Sequence, residues 1–162
     1  MKKFLKLEKG FGLIEILIVV AVVAIAFVGL LSFLINSASV TFRVTRNTEA
    51  TSLAEEGMEA VRSMRDESWT TSISGLLPGT MYYPVVSGNK WTLSTTNPGL
   101  VNGLYIRTVA IANVNRDAND DISVSGTLDT NTKQITVVVS WSETQQAKNV
   151  TLQTYITNFL DN

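Results

Sequence analysis

The sequence contains neither cysteine nor histidine among its 162 residues. Without cysteine it has no disulfides, thiol nucleophiles or thiolate ligands, and without histidine it lacks the side chain that most often titrates or binds metal near neutral pH. It also has no Gly-x-Ser-x-Gly elbow and no phosphate-cradling glycine loop. We therefore predict a protein that is not an enzyme, with no catalytic residue, no cofactor and no metal.

Basic residues are scarce beyond the first ten positions. The chain has a formal net charge of −1, and after Gly10 nine lysines and arginines face 13 acidic residues. Such a surface does not attract nucleic acid, so we expect no nucleic-acid partner. The main aromatic residues are expected in the core or at subunit interfaces rather than on a stacking surface. They are Trp69, Trp91, Trp141, Tyr82, Tyr83 and Tyr105.

One long apolar run dominates the start of the sequence. Residues 1–10 carry four lysines, and the 25 residues from Phe11 to Ile35 contain a single charged residue, Glu15. As a helix this run is about 37 Å long, which is enough to cross a hydrocarbon core of about 30 Å. The basic segment should stay on the cytoplasmic side, so the rest of the chain lies across the membrane.

Three interpretations of this run are open. A secretory signal peptide would have an apolar core of only about 7–15 residues, although Ser-Ala-Ser at 37–39 imitates its cleavage site. A plain membrane anchor accounts for the length of the run but not for Glu15. The third interpretation uses every feature, because the basic segment ends at Gly10, an aromatic residue follows, and Glu15 is the fifth residue after the glycine.

The segment KGFGLIEILIVV closely resembles the N-terminus of type IV prepilins and type II secretion pseudopilins. The matching residues are Gly10, Phe11, Leu13, Ile14 and Glu15. Gly12 stands where the family more often has threonine. The resemblance implies that residues 1–10 form a leader peptide, that a prepilin peptidase cleaves the chain after Gly10, and that the same enzyme N-methylates Phe11.

Glu15 is unfavourable in an apolar environment unless another group neutralises or pairs with it. A carboxylate in hydrocarbon costs about 3 kcal/mol unless it is neutralised or paired. Cleavage creates a cationic amine on Phe11, and in the family the amine of one subunit pairs with the glutamate of another. The resemblance therefore implies that Glu15 registers subunits in a filament. In the alternative interpretation, Glu15 lies near the headgroups and snorkels to water.

The sequence beyond the apolar run predicts an amphipathic continuation of the same helix. Apolar residues recur at helical spacing and predict one buried stripe. The stripe consists of Ala50, Leu53, Ala54, Met58, Val61 and Met64. One helix from about Phe11 to about Ser68 would be roughly 87 Å long. Gly29 and the hydroxyl-rich stretch Ser37–Thr51 are the places where it is expected to bend or loosen.

Turn signals after residue 69 predict a β-rich head. The predicted strands are Met81–Val86, Trp91–Ser94, Leu104–Ala112, Ile122–Leu128, Gln134–Trp141 and Val150–Thr157. Pro84 demotes the first of these to an edge or a bend. Polar loops at Asp129–Lys133 and Glu143–Lys148 predict that the last three strands form an antiparallel meander. The fold class is α+β, with the helix stripe packed on the sheet, which is the lollipop architecture of pilins.

These patterns predict four segments. Residues 1–10 are the leader, residues 11–35 the transmembrane and filament-core helix, residues 36–69 the amphipathic outer half of the helix, and residues 70–162 the globular head. The predicted location is the cytoplasmic membrane, with one pass and the head outside the cytoplasm, and then an extracellular or periplasmic filament.

The stretch Asn113–Asp121 resembles the first half of a calcium loop. Oxygen-bearing side chains alternate at Asn115, Asp117, Asn119 and Asp121. The stretch lacks the glycine at the sixth position and the distal bidentate glutamate, and Arg116 adds a positive charge. We therefore favour a hairpin turn rich in Asn and Asp, which tolerate turn geometry.

Together these features favour a structural subunit, a minor pilin, of a bacterial type IV pilus or related filament. The segment LAEEGMEAVRSMRD and the tail YITNF are most similar to small minor pilins and pseudopilins, and the absence of cysteine excludes the C-terminal disulfide loop of many major pilins. A type II secretion pseudopilin, an adhesin-like head on a pilin stem and a plain anchored domain remain alternatives. The implied partners are prepilin peptidase, other pilin or pseudopilin subunits and, before assembly, the inner membrane.

Overall fold

The structure is a computed structural model that describes residues 12–143 and 145–161. The chain divides into two compact units, Met1–Thr45 and Arg46–Asn162, which we call the N-terminal unit and the C-terminal unit. The elements in chain order are α1 (Leu13–Glu67), α2 (Trp69–Ser72), β1 (Met81–Ser87), β2 (Lys90–Ser94), β3 (Ile106–Arg116), β4 (Ile122–Ser123), β5 (Thr127–Glu143) and β6 (Gln146–Thr157).

Helix α1 confirms the prediction of one long helix. It contains 55 residues and is uninterrupted at Gly29 and in the stretch Ser37–Thr51. Ser68 separates it from the single turn of α2, because its backbone is extended and its hydroxyl accepts a hydrogen bond of 3.3 Å from the Thr71 amide. This is the capping geometry that serine favours at a helix start.

The six strands form one antiparallel sheet, which confirms the α+β fold class. The order is β2-β1-β3-β5-β6, and β4 pairs with the end of β3. Strand β1 pairs with β3 only at Met81 and Tyr82, and from Tyr83 onwards it pairs with β2 alone. The change of partner comes between Tyr82 and Tyr83, so at Pro84 the strand is paired on one side only, which agrees with the predicted edge position of this proline.

The predicted loop at Asp129–Lys133 is wrong, because β5 continues through it. The register jumps from the pair Asn113–Lys133 to the pair Val114–Asp129, so residues 130–132 bulge out of the ladder with β3. The bulge has its own hydrogen bonds: the Asp129 carboxylate accepts one of 2.9 Å from the Asn131 amide. The polar residues whose pattern predicts a hairpin loop therefore form a bulge within a long strand.

The predicted strand Ile122–Leu128 is also wrong, and so is the first connection of the predicted meander. Strand β4 ends at Ser123, β5 begins at Thr127, and β5 pairs with β3 and β6. Between β4 and β5, Gly126 has a φ of 132° and approaches the β3 backbone so closely that a Cβ would lie 2.1 Å from the Arg116 carbonyl oxygen. This close approach requires glycine and breaks the apparent strand.

The second connection of the predicted meander is confirmed, because the predicted strands Gln134–Trp141 and Val150–Thr157 pair antiparallel within β5 and β6. The predicted loop Glu143–Lys148 is too long, since β5 extends to Glu143 and β6 begins at Gln146.

The core lies between the part of α1 that follows Thr45 and one face of the sheet, both within the C-terminal unit. All six residues of the predicted α1 stripe are buried. The alternating β5 residues are buried as well: Ile135, Val137, Val139 and Trp141. At about 1.5–3 kcal/mol for each fully buried large apolar side chain, this burial is the main favourable contribution to folding.

Candidate functional site

The candidate site is the first half of α1, whose apolar surface has no cover. Every described residue from 12 to 45 is exposed. The most apolar window of α1 has a mean hydropathy of 3.1, and none of it is buried. By length and composition, α1 is the one helix among the described residues that is apolar enough to cross a membrane. An apolar surface of this extent needs an environment outside the chain.

Glu15 lies in the first turn of α1, where its backbone N–H donates a hydrogen bond of 2.9 Å to the Gly12 carbonyl. The positive end of the helix dipole favours a carboxylate at this position. Within residues 12–143 and 145–161, the Glu15 side chain contacts no cation. The predicted partner, the Phe11 amine, and the predicted cleavage site after Gly10 lie outside the described residues.

Four hydroxyl groups of the N-terminal unit are satisfied within α1. Each donates a hydrogen bond of 3.0 Å to the carbonyl four residues earlier, and the donors are Ser32, Ser39, Thr41 and Thr45. Such bonds remove the need for water around the hydroxyl. This arrangement suits a helix in an apolar environment, where an unsatisfied polar group is costly.

The turn after β3 uses its acidic side chains in hydrogen bonds to its own backbone. The Asp117 carboxylate accepts hydrogen bonds from the amides of Asn119, at 2.8 Å, and Asp121, at 3.1 Å. The Asp117 N–H donates to the Asp121 carbonyl at 3.0 Å and closes the turn. In the part of the chain that the structure describes, no group of three or more acidic side chains is placed to hold a metal ion. The geometry is that of the predicted polar turn.

Arg116 supplies the positive charge at this turn. Its Nε donates a hydrogen bond of 2.6 Å to the Asp129 carboxylate, and its guanidinium donates another of 2.7 Å to the Asp120 carbonyl. Burial raises the pKa of Asp129, but hydrogen bonds from Arg116, the Thr132 side chain and the Asn131 backbone outweigh burial and lower it. The ion pair therefore joins β3 to the β5 bulge.

Four of the six aromatic residues named in the sequence analysis are buried, and Tyr83 and Trp91 are half-buried. Trp69, Tyr82 and Trp141 are buried, and Tyr105 is only 1% exposed. The rings of Tyr105 and Trp141 meet edge to face, with centroids 5.7 Å apart. Trp91 is half-buried and packs against the same core. The expected core role is confirmed for the buried rings.

A hydrogen-bond network that the sequence did not reveal ties the start of β3 to α1. The Tyr105 hydroxyl lies 2.9 Å from a Glu49 carboxylate oxygen and 3.3 Å from the Arg46 carbonyl, and the two acceptors share its single proton. The other Glu49 oxygen accepts a hydrogen bond of 2.8 Å from the Asn102 side-chain amide. Burial, followed by the hydrogen bond to Glu49 and its negative charge, raises the pKa of Tyr105 to about 12.

Arg107 is a second feature that sequence reasoning missed. It points into the core, is 7% exposed, and its guanidinium lies 2.8 Å from the Glu56 carboxylate and 3.2 Å from the Leu53 carbonyl. The sequence does contain an indication that Arg107 is buried. Arg107 is two residues before Val109, so both lie on the inward face of β3. Gly57 leaves the space that the arginine stem occupies.

Comparison with known proteins supports one assignment. Residues 5–31 match the prokaryotic N-terminal methylation motif. The matched interval includes Gly10, Phe11 and Glu15, and it supports a type IV pilin-like or pseudopilin-like protein. No match was found among curated proteins or solved structures. The motif and the fold point to a structural protein rather than an enzyme, and the apolar helix fits membrane anchoring before assembly.

Proposed function

We propose that this protein is a structural subunit, a minor pilin, of a bacterial type IV pilus or a related filament. The observation that carries the proposal is the uncovered apolar surface of α1 over residues 12–45, in a chain whose residues 5–31 match the methylation motif. This surface fits two environments in turn, the bilayer before assembly and a bundle of like helices after it.

The transfer between these environments needs a polar contribution. Lipid tails are about as apolar as leucine side chains, so moving an apolar helix from lipid into a helix bundle gains little from the hydrophobic effect. A charge pair in low dielectric can supply both affinity and register. We propose that prepilin peptidase cleaves after Gly10 and methylates Phe11, and that the new amine pairs with Glu15 of a neighbouring subunit.

A type II secretion pseudopilin is supported by the same observations, because the motif is common to both kinds of filament. An adhesin-like head gains no support from the buried aromatic residues, since a sugar-stacking surface needs exposed rings. The proposed partners are therefore prepilin peptidase, other subunits and the inner membrane, with the C-terminal unit outside the cytoplasm.

The test compares Glu15→Gln with wild type in cells that make the other subunits. We expect the mature chain to begin at Phe11, by N-terminal sequencing, and the variant to insert normally into the membrane. Its filament-to-membrane ratio should fall at least about tenfold, because breaking one side of a buried pair costs about 3–5 kcal/mol.

Glu55→Gln is the matched control. Glu55 is an exposed acid of the same helix, and within the described residues it has no ion-pair partner. This variant should enter filaments like wild type. A mature chain that begins at Met1 would overturn the prepilin assignment. Equal incorporation of Glu15→Gln and wild type would overturn registration by Glu15.

A further inference from the structure

The sequence contains a single Asn-Gly dipeptide, Asn102-Gly103. Both residues have positive φ, 51° and 69°, and a hydrogen bond of 3.1 Å from the Leu104 amide to the Val101 carbonyl closes the turn around them. Both are exposed to water. The dipeptide therefore lies at a water-accessible turn in the C-terminal unit.

The chemistry of this dipeptide favours an intramolecular reaction. The Gly103 nitrogen can attack the Asn102 side-chain carbonyl carbon because glycine has no Cβ to obstruct the approach. In the part of the chain that the structure describes, the Gly103 N–H donates no hydrogen bond that would have to break first. The new C–N bond closes a succinimide while the side-chain amide leaves as ammonia, taking up the proton from Gly103. Water then opens either carbonyl and leaves aspartate or isoaspartate.

We infer that Asn102 is a site of spontaneous deamidation, and that the carboxylate formed there breaks the hydrogen bond that holds the turn against α1. The Asn102 amide donates the 2.8 Å hydrogen bond to Glu49, whose other oxygen binds the Tyr105 hydroxyl. A carboxylate at position 102 has no proton to donate and places a second negative charge against Glu49. Deamidation thus replaces an attraction by a repulsion at the same contact.

The effect should extend along the network to the start of β3. Tyr105 is 1% exposed and is bonded to Glu49 and to the Arg46 carbonyl. If Glu49 moves away from a carboxylate at position 102, the Tyr105 hydroxyl loses its charged acceptor, which is the stronger kind of hydrogen-bond partner. All these residues belong to the C-terminal unit, so the inference does not depend on the proposed filament role.

The first experiment follows deamidation in the full-length protein, purified in detergent and incubated at mildly alkaline pH. Peptide mapping by mass spectrometry should show a gain of about one dalton and isoaspartate at position 102. Asn89 is the internal control, because it is also an exposed turn residue with positive φ, 68°, but is followed by Lys90. Asn102 should react at least tenfold faster, and equal rates at the two positions would overturn the site.

The second experiment tests the consequence with Asn102→Asp. The melting temperature should fall by several degrees. Adding Glu49→Gln should restore most of the loss, because the new side-chain amide at position 49 can donate to the carboxylate at position 102 while its carbonyl still accepts from Tyr105. If Asn102→Asp lowered the melting temperature only by disrupting the turn itself, Glu49→Gln would not restore it. If Asn102→Asp melts like wild type, or if the double variant melts no higher than the single one, the proposed release from α1 is wrong.

Discussion

The apolar residues of α1 differ in exposure between the two units of the chain. In the N-terminal unit every described residue of α1 is exposed, whereas in the C-terminal unit its apolar stripe is buried against the sheet. The C-terminal unit therefore completes its own core, and the N-terminal unit needs lipid or other subunits. The difference separates the stability of the fold from the capacity to assemble.

Two carboxylates of α1, one in each unit, differ in the same sense. In the C-terminal unit the acidic residue Glu49 is bonded to Tyr105 and Asn102. Glu15 in the N-terminal unit has no cationic partner among the described residues. Glu49 therefore contributes to folding, whereas Glu15, at the start of the uncovered apolar surface, is available to a partner outside the chain.

An aspartate placed in the apolar part of either unit should have severe but different consequences. Val61 is 0% exposed in the core, so Val61→Asp should unfold the C-terminal unit or lower its melting temperature drastically. Val23 is 59% exposed, so Val23→Asp should leave the melting temperature of the C-terminal unit unchanged. It should make the free energy of membrane insertion less favourable by about 3 kcal/mol.

Tryptophan fluorescence makes this comparison direct, because all three tryptophans lie in the C-terminal unit. The melting curve of the full-length protein in detergent reports on that unit, and the membrane fraction of cells reports on insertion. A loss of melting temperature in Val23→Asp equal to that in Val61→Asp would show that the two units are not separable in this sense.

The next effect in size uses the same substitution at two glycines of α1. A Cβ at Gly57 would lie 2.9 Å from the Val137 side chain and 3.1 Å from Arg107 Cδ, and Val137 is buried and stiff. Gly57→Ala should lower stability by roughly 1 kcal/mol, because overpacking costs about 1–3 kcal/mol and the better helix propensity of alanine returns at most about 1 kcal/mol.

Gly29→Ala is the matched control, because nothing lies within 4 Å of a Cβ at that position. It should not lower the melting temperature measured by tryptophan fluorescence. If Gly57→Ala is as stable as Gly29→Ala, the tight contact between α1 and β5 is not a determinant of stability.

Periodic patterns could be predicted from the sequence because the core itself is periodic. The α1 stripe from Ala50 to Met64 and the β5 face from Ile135 to Trp141 follow directly from periods of 3.6 and 2. The motif around Glu15 was visible for a different reason, since an acid in an apolar run is costly and therefore informative.

Features that depend on distant contacts could not be predicted. The β5 bulge reads as a loop because its residues are polar, yet β6 pairs with Thr132 and holds it in the sheet. Gly126 looks like part of a strand until the Arg116 carbonyl is placed against it. The partner of Glu15 cannot be read from one chain, because the proposed pair joins two subunits.

The Tyr105 network should make the stability of the C-terminal unit sensitive to alkaline pH. The pKa of Tyr105 is raised to about 12 from an ordinary value of 10.0. Below pH 10 the phenol is neutral in the folded and unfolded states, so its contribution to stability is fully present. Between about pH 10 and 12 the unfolded phenol ionises first, so this contribution is lost as the pH rises.

Tyr105→Phe removes both the hydrogen bonds that this hydroxyl makes at neutral pH and its ionisation at high pH. At neutral pH the variant should be less stable by about 1 kcal/mol, because its hydrogen bonds to Glu49 and the Arg46 carbonyl are gone. Tyr83→Phe is the control for that loss, because among the described residues the Tyr83 hydroxyl bonds only to the Met81 sulfur, at 3.5 Å. Above pH 10 the stability of Tyr105→Phe should fall less steeply than that of wild type, as measured by denaturant unfolding followed by tryptophan fluorescence. Parallel curves for the two proteins would mean that the raised pKa of Tyr105 does not contribute to alkaline unfolding, and that the sensitivity lies in other groups of the C-terminal unit.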